Sequence, residues 1–225
     1  MNTFNKKQLI WLSFFFIFCF ACNNQTETTQ KTKSATVEKT IKKENISDYD
    51  NIPTYSANKA VQAVIEIPAG TNHKMEYDKT AKKFVIDQRN GKDRVLNFLP
   101  YVGNYGFVPS TLMDESKGGD GDALDILVLS ETLSTKTVIE VIPIAMLKLK
   151  DDGELDTKLI AVPFDANKRI IQATTYNEFS NKYAAAKELI AKWFLNYDQQ
   201  DETEMLGWGN ELEAQAEIAK WTETK

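Results

Sequence analysis

The segment Gly118-Gly119-Asp120-Gly121-Asp122-Ala123-Leu124-Asp125 sets three carboxylates within six residues, beside glycines. Glycine permits a tight backbone path, so on a turn entering a strand Asp120, Asp122 and Asp125 are expected to converge on one point. Unpaired, the three charges would raise one another's pKa values, and a bound Mg²⁺ or Mn²⁺ would remove that penalty. Taken alone, the segment is better read as a solvated acidic turn. A calcium EF-hand loop fits less well, because the glycine required at its sixth position is here Asp125. A second acidic loop shifts the balance. Lys150-Asp151-Asp152-Gly153-Glu154-Leu155-Asp156-Thr157-Lys158 again groups carboxylates around a glycine, with lysines at both edges. Glu66 and Glu76 lie near strand ends, with Lys74 and Arg94 among them. Carboxylates for several metal ions, with cations for phosphate oxygens, are the inventory for metal-assisted phosphoryl transfer to water.

Composition narrows the chemistry further. The 225 residues are 42% apolar and 26% charged, ordinary values for a globular chain. Thirty-two acidic against 27 basic residues give a net charge of −5. Such a surface repels phosphate backbones, so nucleic acid is not an expected partner, whereas a small phosphate compound can enter if cations mediate. His73 is the sole histidine, and Cys19 and Cys22 are the only cysteines. Neither a Cys/His zinc site nor a disulfide framework can be built from these, so any metal must be hard and oxygen-ligated.

The elements that must carry these residues begin after a long leader. Lys6 and Lys7 precede an apolar run from Leu9 to Phe20, too short to span a bilayer as a helix and fitting a signal peptide. Ala21-Cys22 at its end resembles a bacterial lipobox, so residues 1–21 are expected to be cleaved and Cys22 to carry lipid. A plain secretory signal is the alternative. Several acyl chains on one cysteine anchor stably, where a single chain holds only marginally. Residues 22–57 are polar and lack apolar periodicity, the composition of a disordered tether. The folded domain is expected over residues 58–225. Its first part reads as short strands: Gln62–Ile67, Phe84–Ile86 ahead of the hairpin signal Asn90-Gly91, Asp125–Leu129, Val138–Met146 and Leu159–Val162. Helical spacing of Tyr183, Ile190, Phe194 and Tyr197 predicts a helix over 180–197, and Asn210 with Glu213 predicts a capped helix to about Thr222. The fold class expected is α+β dominated by β, a compact barrel with two C-terminal helices packed outside.

Five motifs occur in order: Ile65-Glu66-Ile67-Pro68-Ala69, Lys74-Met75-Glu76, Asn104-Tyr105-Gly106-Phe107-Val108-Pro109, Asp120-Gly121-Asp122-Ala123-Leu124-Asp125, and Asp151 leading to Asp156-Thr157-Lys158-Leu159-Ile160-Ala161-Val162-Pro163. Together they resemble a family I soluble inorganic pyrophosphatase over about residues 60 to 222. The resemblance implies a closed, OB-like, five-stranded barrel and Mg²⁺-dependent hydrolysis of diphosphate to two phosphates by a metal-activated water, with Mn²⁺ as a substitute ion. It implies Asp120, Asp125 and Asp156 as primary metal ligands and Asp151 as ligand to a substrate-borne metal. Glu66 and Glu76 match acidic positions near the metals. Asp122 resembles the carboxylate that takes the proton of the attacking water. Lys74, Arg94, Lys158 and Tyr197 resemble groups that hold pyrophosphate oxygens, and Tyr101 and Tyr105 match the family's site tyrosines.

Two positions depart from the pattern. Ala123 stands where the family usually has Pro or Glu, and Asp198 follows Tyr197 where the family has lysine. The carboxylate of Asp198 is expected to repel phosphate, so that Asp198→Lys would lower KM. Arg89 and Arg94 both lie near the place of the phosphate-binding arginine, and Gly91-Lys92-Asp93-Arg94 favours Arg94 as in the longer-hairpin members. The expectation is thus a lipid-anchored, exported enzyme of a bacterial envelope acting on Mg-pyrophosphate, touching the membrane through its lipid alone and compatible with a homo-oligomer. The alternatives are an exported phosphoanhydride hydrolase of a larger substrate, or a cation-binding barrel without turnover.

Overall fold

The structure is a computed structural model that describes residues 48–198 and 200–223. The expected signal segment, Cys22 and most of the expected tether lie outside the described residues. Among the described residues eleven strands occur, in chain order β1 Val61–Ile67, β2 Met75–Asp78, β3 Lys83–Ile86, β4 Gln88–Arg89, β5 Lys92–Asp93, β6 Asn104–Phe107, β7 Asp125–Val128, β8 Val138–Asp151, β9 Glu154–Leu155, β10 Lys158–Pro163 and β11 Thr203–Asn210. Three α-helices accompany them: α1 Tyr176–Lys182 and α2 Ala184–Phe194 before β11, and α3 Glu211–Trp221 after it. The fold is mixed and dominated by its sheet.

Hydrogen-bonded neighbours run β1-β6-β7-β10-β8, and β8 pairs again with β1, so the pairing closes into a ring of five strands. All ring pairs are antiparallel except β7 with β10. The 14-residue β8 makes the closure: its start pairs with β1, its middle with β10 and its end with β11. Strand alternation divides the apolar residues between two cores. Leu127, Ile160 and Val162 pack with Ile190, Trp193 and Phe194 of α2. Their strand neighbours Ile126, Leu159 and Ala161 pack with Ala214, Ile218 and Trp221 of α3. Both faces of β7 and β10 are therefore covered, which explains their unbroken apolar runs. At Gly106 the closeness is extreme: a Cβ there would lie 1.9 Å from the Val64 carbonyl oxygen.

Several expectations are met. Asn90 and Gly91 both take positive φ, as a two-residue hairpin between β4 and β5 requires. Asn210 caps α3, accepting from the Leu212 and Glu213 N–H groups, while Glu213 accepts from the Asn210 N–H. Others need correction. The helix expected over 180–197 is two helices that break at Tyr183, whose backbone leaves helical geometry. Its start was marked by Thr175 and Glu178, another cap with an acidic partner: the Thr175 hydroxyl accepts from the Glu178 N–H, and Glu178 accepts from the Thr174 N–H. Tyr197 lies beyond the end of α2. The strand β11 was hidden because Gly207 and Gly209 interrupt its pattern and its neighbour β8 covers only one edge. Residues 48–57, which composition assigned to the tether, pack on the domain. The Tyr49 ring lies edge-on to Phe84 at 4.9 Å, and the Thr54 hydroxyl donates to the Pro109 carbonyl at 2.9 Å.

Candidate active site

One cavity of about 320 Å³ is lined by Glu66, Lys74, Glu76, Arg94, Tyr101, Tyr105, Asp120, Asp122, Asp125, Asp151, Asp156, Lys158 and Tyr197. Every residue that the five motifs singled out for metal or phosphate therefore faces a common space. The fold accounts for this. β1 delivers Glu66 near its end, β2 carries Glu76, and β6 carries Tyr105. Asp125 opens β7 and Lys158 opens β10, and the parallel register sets these two residues side by side. The β8–β9 turn brings Asp151, with Asp152 and Gly153 at positive φ to reverse the chain. Tyr197 arrives from the segment after α2, its ring stacked on Trp193 at 4.8 Å.

At the centre Lys158, only 5% exposed at its side chain, donates to Asp125 at 2.5 Å and also to Asp156. The Tyr105 hydroxyl donates to the same Oδ2 of Asp125 at 2.5 Å. Burial works against charge on Lys158, but the two aspartates outweigh it and hold its pKa well above the usual lysine value. The carboxylates show the opposite imbalance. Burial pushes Glu66 well above the ordinary glutamate range, although the Tyr77 N–H donates to it at 2.7 Å. Asp120 is pushed up to about 6 by burial, aided by the charges of Asp125 and Asp156. Asp125 and Asp151 are raised by burial as well. Negative charge in the cavity is short of compensation.

The DGD turn differs from its expected form. Among the described residues no three acidic side chains converge closely enough to hold a metal ion by themselves. Asp120 and Asp125 are partly withdrawn, whereas the Asp122 side chain is 78% exposed at the rim and faces Lys79 at 3.5 Å. Gly121 at positive φ throws Asp122 outward, and the Asp122 N–H donates back to Asp120. The donor set nevertheless suits hard divalent cations. All candidate ligands are carboxylate oxygens, they surround one space, and Mg²⁺ commonly binds through one or two carboxylates with waters and substrate oxygens completing its shell.

The expected repulsion at Asp198 is also corrected. Asp198 does not line the cavity; its side chain is 9% exposed and pairs with Arg94 and, at 3.1 Å, with Arg89. Burial opposes its ionisation, but the Arg94 hydrogen bond, the Gln200 N–H and both guanidinium charges prevail and hold its carboxyl down at about 2. Of the two arginines, Arg94 lines the cavity and Arg89 does not. Sequence reasoning missed Lys79, Asp152, Glu154 and Asp201, which also line the space. Glu154 lay in the second acidic loop; nothing in the local sequence marks Asp201.

The geometry agrees with what known proteins resemble this chain. The family model for inorganic pyrophosphatase matches residues 63–225. The sequence is 35% identical over 178 residues to the inorganic pyrophosphatase of Saccharolobus solfataricus, spanning 77% of this chain and 96% of the relative. It is 35% identical over 170 residues to inorganic pyrophosphatase 1 of Pseudomonas syringae, spanning 72% and 89%. The fold matches the crystal structure of an inorganic pyrophosphatase from Neisseria gonorrhoeae with a TM-score of 0.66 at 29% identity, over 78% of this chain and 97% of that one. By sequence match over most of its length, by fold and by the residues gathered in its cavity, the chain belongs to the inorganic pyrophosphatase family.

Proposed function

We infer that the cavity described above is where this chain, as an inorganic diphosphatase, splits pyrophosphate into two phosphates. The observation that carries this reading is the single space shared by Asp120, Asp122, Asp125, Asp151, Asp156, Lys74, Arg94 and Lys158. Its volume of about 320 Å³ lies at the small end of ligand pockets and suits a compact anion better than a nucleoside triphosphate. The closed OB-like barrel is supported by the ring of five paired strands that delivers these residues.

In the mechanism we propose, Asp120, Asp125, Asp151 and Asp156, with Glu66 and Glu76 nearby, hold divalent cations, Mg²⁺ by preference and Mn²⁺ as substitute. Bound there, such ions would neutralise phosphate oxygens and make water a better nucleophile at neutral pH. Lys74, Arg94, Lys158 and Tyr197 bind the pyrophosphate oxygens, and Tyr101 lies beside them. Tyr105, donating to Asp125, fixes that carboxylate's orientation. The water oxygen bonds to one phosphorus as the bond from that phosphorus to the bridging oxygen breaks. Asp122 takes the proton released by the water, and the bridging oxygen leaves with the second phosphate. Fixed cations count most at that moment, when charge builds on the departing oxygen. Phosphate release from pyrophosphate with and without Mg²⁺, set beside release from nucleoside triphosphates, tests the reading. Release from triphosphates alone would favour the larger-substrate alternative, and metal binding without release would favour a barrel lacking turnover.

Metal binding has its own readout. A cation that binds only the folded state stabilises it by about 2.7 kcal/mol at a hundred times its Kd. For a domain of this size that raises Tm by about 5–10 °C. Thermal denaturation in Mg²⁺ is expected to show this rise, and EDTA to abolish it. An unchanged Tm would deny the carboxylates their metal role.

We further propose that the protein is exported and held at a bacterial cell envelope by lipid on Cys22, supported by Lys6, Lys7, the apolar run and Ala21-Cys22. Cys22→Ser is expected to give a soluble or uncleaved protein with activity intact. Continued partition of that variant into detergent as a lipidated species would refute the anchor.

A further inference from the structure

Arg94 is surrounded by acid. Its Nη1 donates to Asp87 at 3.2 Å, and its Nη2 donates to Asp198 and, at 3.1 Å, to Asp201. Arg89, on the same hairpin, donates to Asp198 at 3.3 Å and to Asp201 at 3.0 Å. The pairs with Asp198 and Asp201 join residues more than a hundred positions apart and tie the 88–94 hairpin to the segment following α2. The two acids are not equivalent. Arg94 and Asp201 line the cavity, whereas Asp198 does not. Both accept from the same Nη2 of Arg94, but only Asp201 reaches the cavity lining. The Nε of Arg94 is buried without a hydrogen-bond partner among the described residues.

We infer that Asp198 is a positioning residue: without lining the cavity itself, it grips Arg94 and Arg89 and fixes the Arg94 guanidinium where it meets a pyrophosphate oxygen. This rests on the reading of Arg94 as a phosphate-binding group. A guanidinium on a long side chain loses much rotamer freedom when it binds, and a charged hydrogen bond that holds it beforehand removes that cost from substrate binding. The carboxylate that stands in place of a phosphate-binding lysine then serves the substrate through Arg94, and its charge is spent on two arginines before phosphate arrives. The sign of the expected effect is opposite to that of simple repulsion.

Steady-state kinetics on Mg-pyrophosphate at saturating Mg²⁺, with the full chain, test this. Asp198→Ala is expected to raise KM about tenfold with kcat changed less than about threefold, the loss of orientation that one charge-assisted hydrogen bond supplies. Asp198→Asn, which keeps the shape and one acceptor oxygen, is expected to recover part of the loss. Asp198→Lys sets a third cation against two arginines and is expected to raise KM as well. The deciding measurement is the cycle with Arg94→Ala: once Arg94 is absent, Asp198→Ala should add nothing to KM. Additive effects, or a lower KM in Asp198→Ala or Asp198→Lys, would overturn the positioning role while leaving Arg94 as a phosphate group. An unchanged KM in Arg94→Ala alone would overturn both. Where Asp198→Ala fails to fold, as circular dichroism reports, Asp198→Asn enters the same cycle with the same outcomes.

Discussion

Asp122→Asn is expected to lower kcat on the order of 10²- to 10⁴-fold while leaving the Mg²⁺-induced rise in Tm close to that of the wild type. The two readouts separate because the acids of this site differ in placement. Asp120 and Asp125 are withdrawn, and burial raises their pKa values, so a cation that relieves the excess charge is the natural partner of each. Asp122 sits at the rim, its side chain 78% exposed, with Lys79 at 3.5 Å as its only ion-pair partner among the described residues. A carboxylate so placed can accept a proton from a reacting water and return it to solvent. Asparagine matches its size but cannot accept that proton. The expected size of the loss is what removal of a positioned general base costs, and little of it should reach KM. Phosphate release at saturating Mg²⁺ measures the first readout and thermal denaturation the second. Turnover within twofold of wild type would remove Asp122 from the mechanism. A large loss of the Mg²⁺ shift would instead make it a metal ligand.

What could be read from the sequence follows the range of the interaction concerned. The caps at Asn210 and the turn at Asn90-Gly91 are settled by neighbours within four residues, and both were legible. Asp120, Asp122, Asp125, Asp156 and Lys158 were legible because they sit in short motifs whose residue types announce charge chemistry, whereas Lys79 and Asp201, which stand outside any such motif, were not. The break at Tyr183 was not, since Tyr183, Ile190 and Phe194 keep helical spacing through it. Only the second cap at Thr175 betrays a separate α1. The role of Asp198 was opaque for a stronger reason. Its partners Arg89 and Arg94 lie more than a hundred residues away, and after Tyr197, where the resembled family has lysine, a carboxylate reads as a charge facing phosphate. Asp122 was misjudged by proximity: three aspartates within six residues suggested convergence, yet positive φ at Gly121 turns one of them outward.

Lys158→Met should carry two losses that respond differently to metal. The wild-type ammonium is buried between Asp125 and Asp156, and 5.7 Å from the centre of the Tyr105 ring. Methionine fills much of the lysine stem's volume, so packing changes little and the charge is what disappears. Two buried carboxylates then face each other without a counter-ion. Removing one partner of a buried ion pair costs about 3–5 kcal/mol. In a domain of this size that lowers Tm by about 6–20 °C in EDTA. Magnesium can supply the missing positive charge, so the rise in Tm on adding Mg²⁺ should exceed that of the wild type. Activity should not recover with it. The ammonium is proposed to donate to a phosphate oxygen on which charge builds, and loss of one such fixed donor costs about 10²- to 10³-fold in kcat. Thermal denaturation in EDTA and in Mg²⁺, with kcat at saturating metal, checks both halves. A Tm deficit of equal size with and without Mg²⁺ would mean that Lys158 stabilises the fold by packing and not by its charge. Near-normal kcat in the Mg²⁺-stabilised variant would take Lys158 out of the substrate's contacts and leave it as the counter-ion of Asp125 and Asp156 alone.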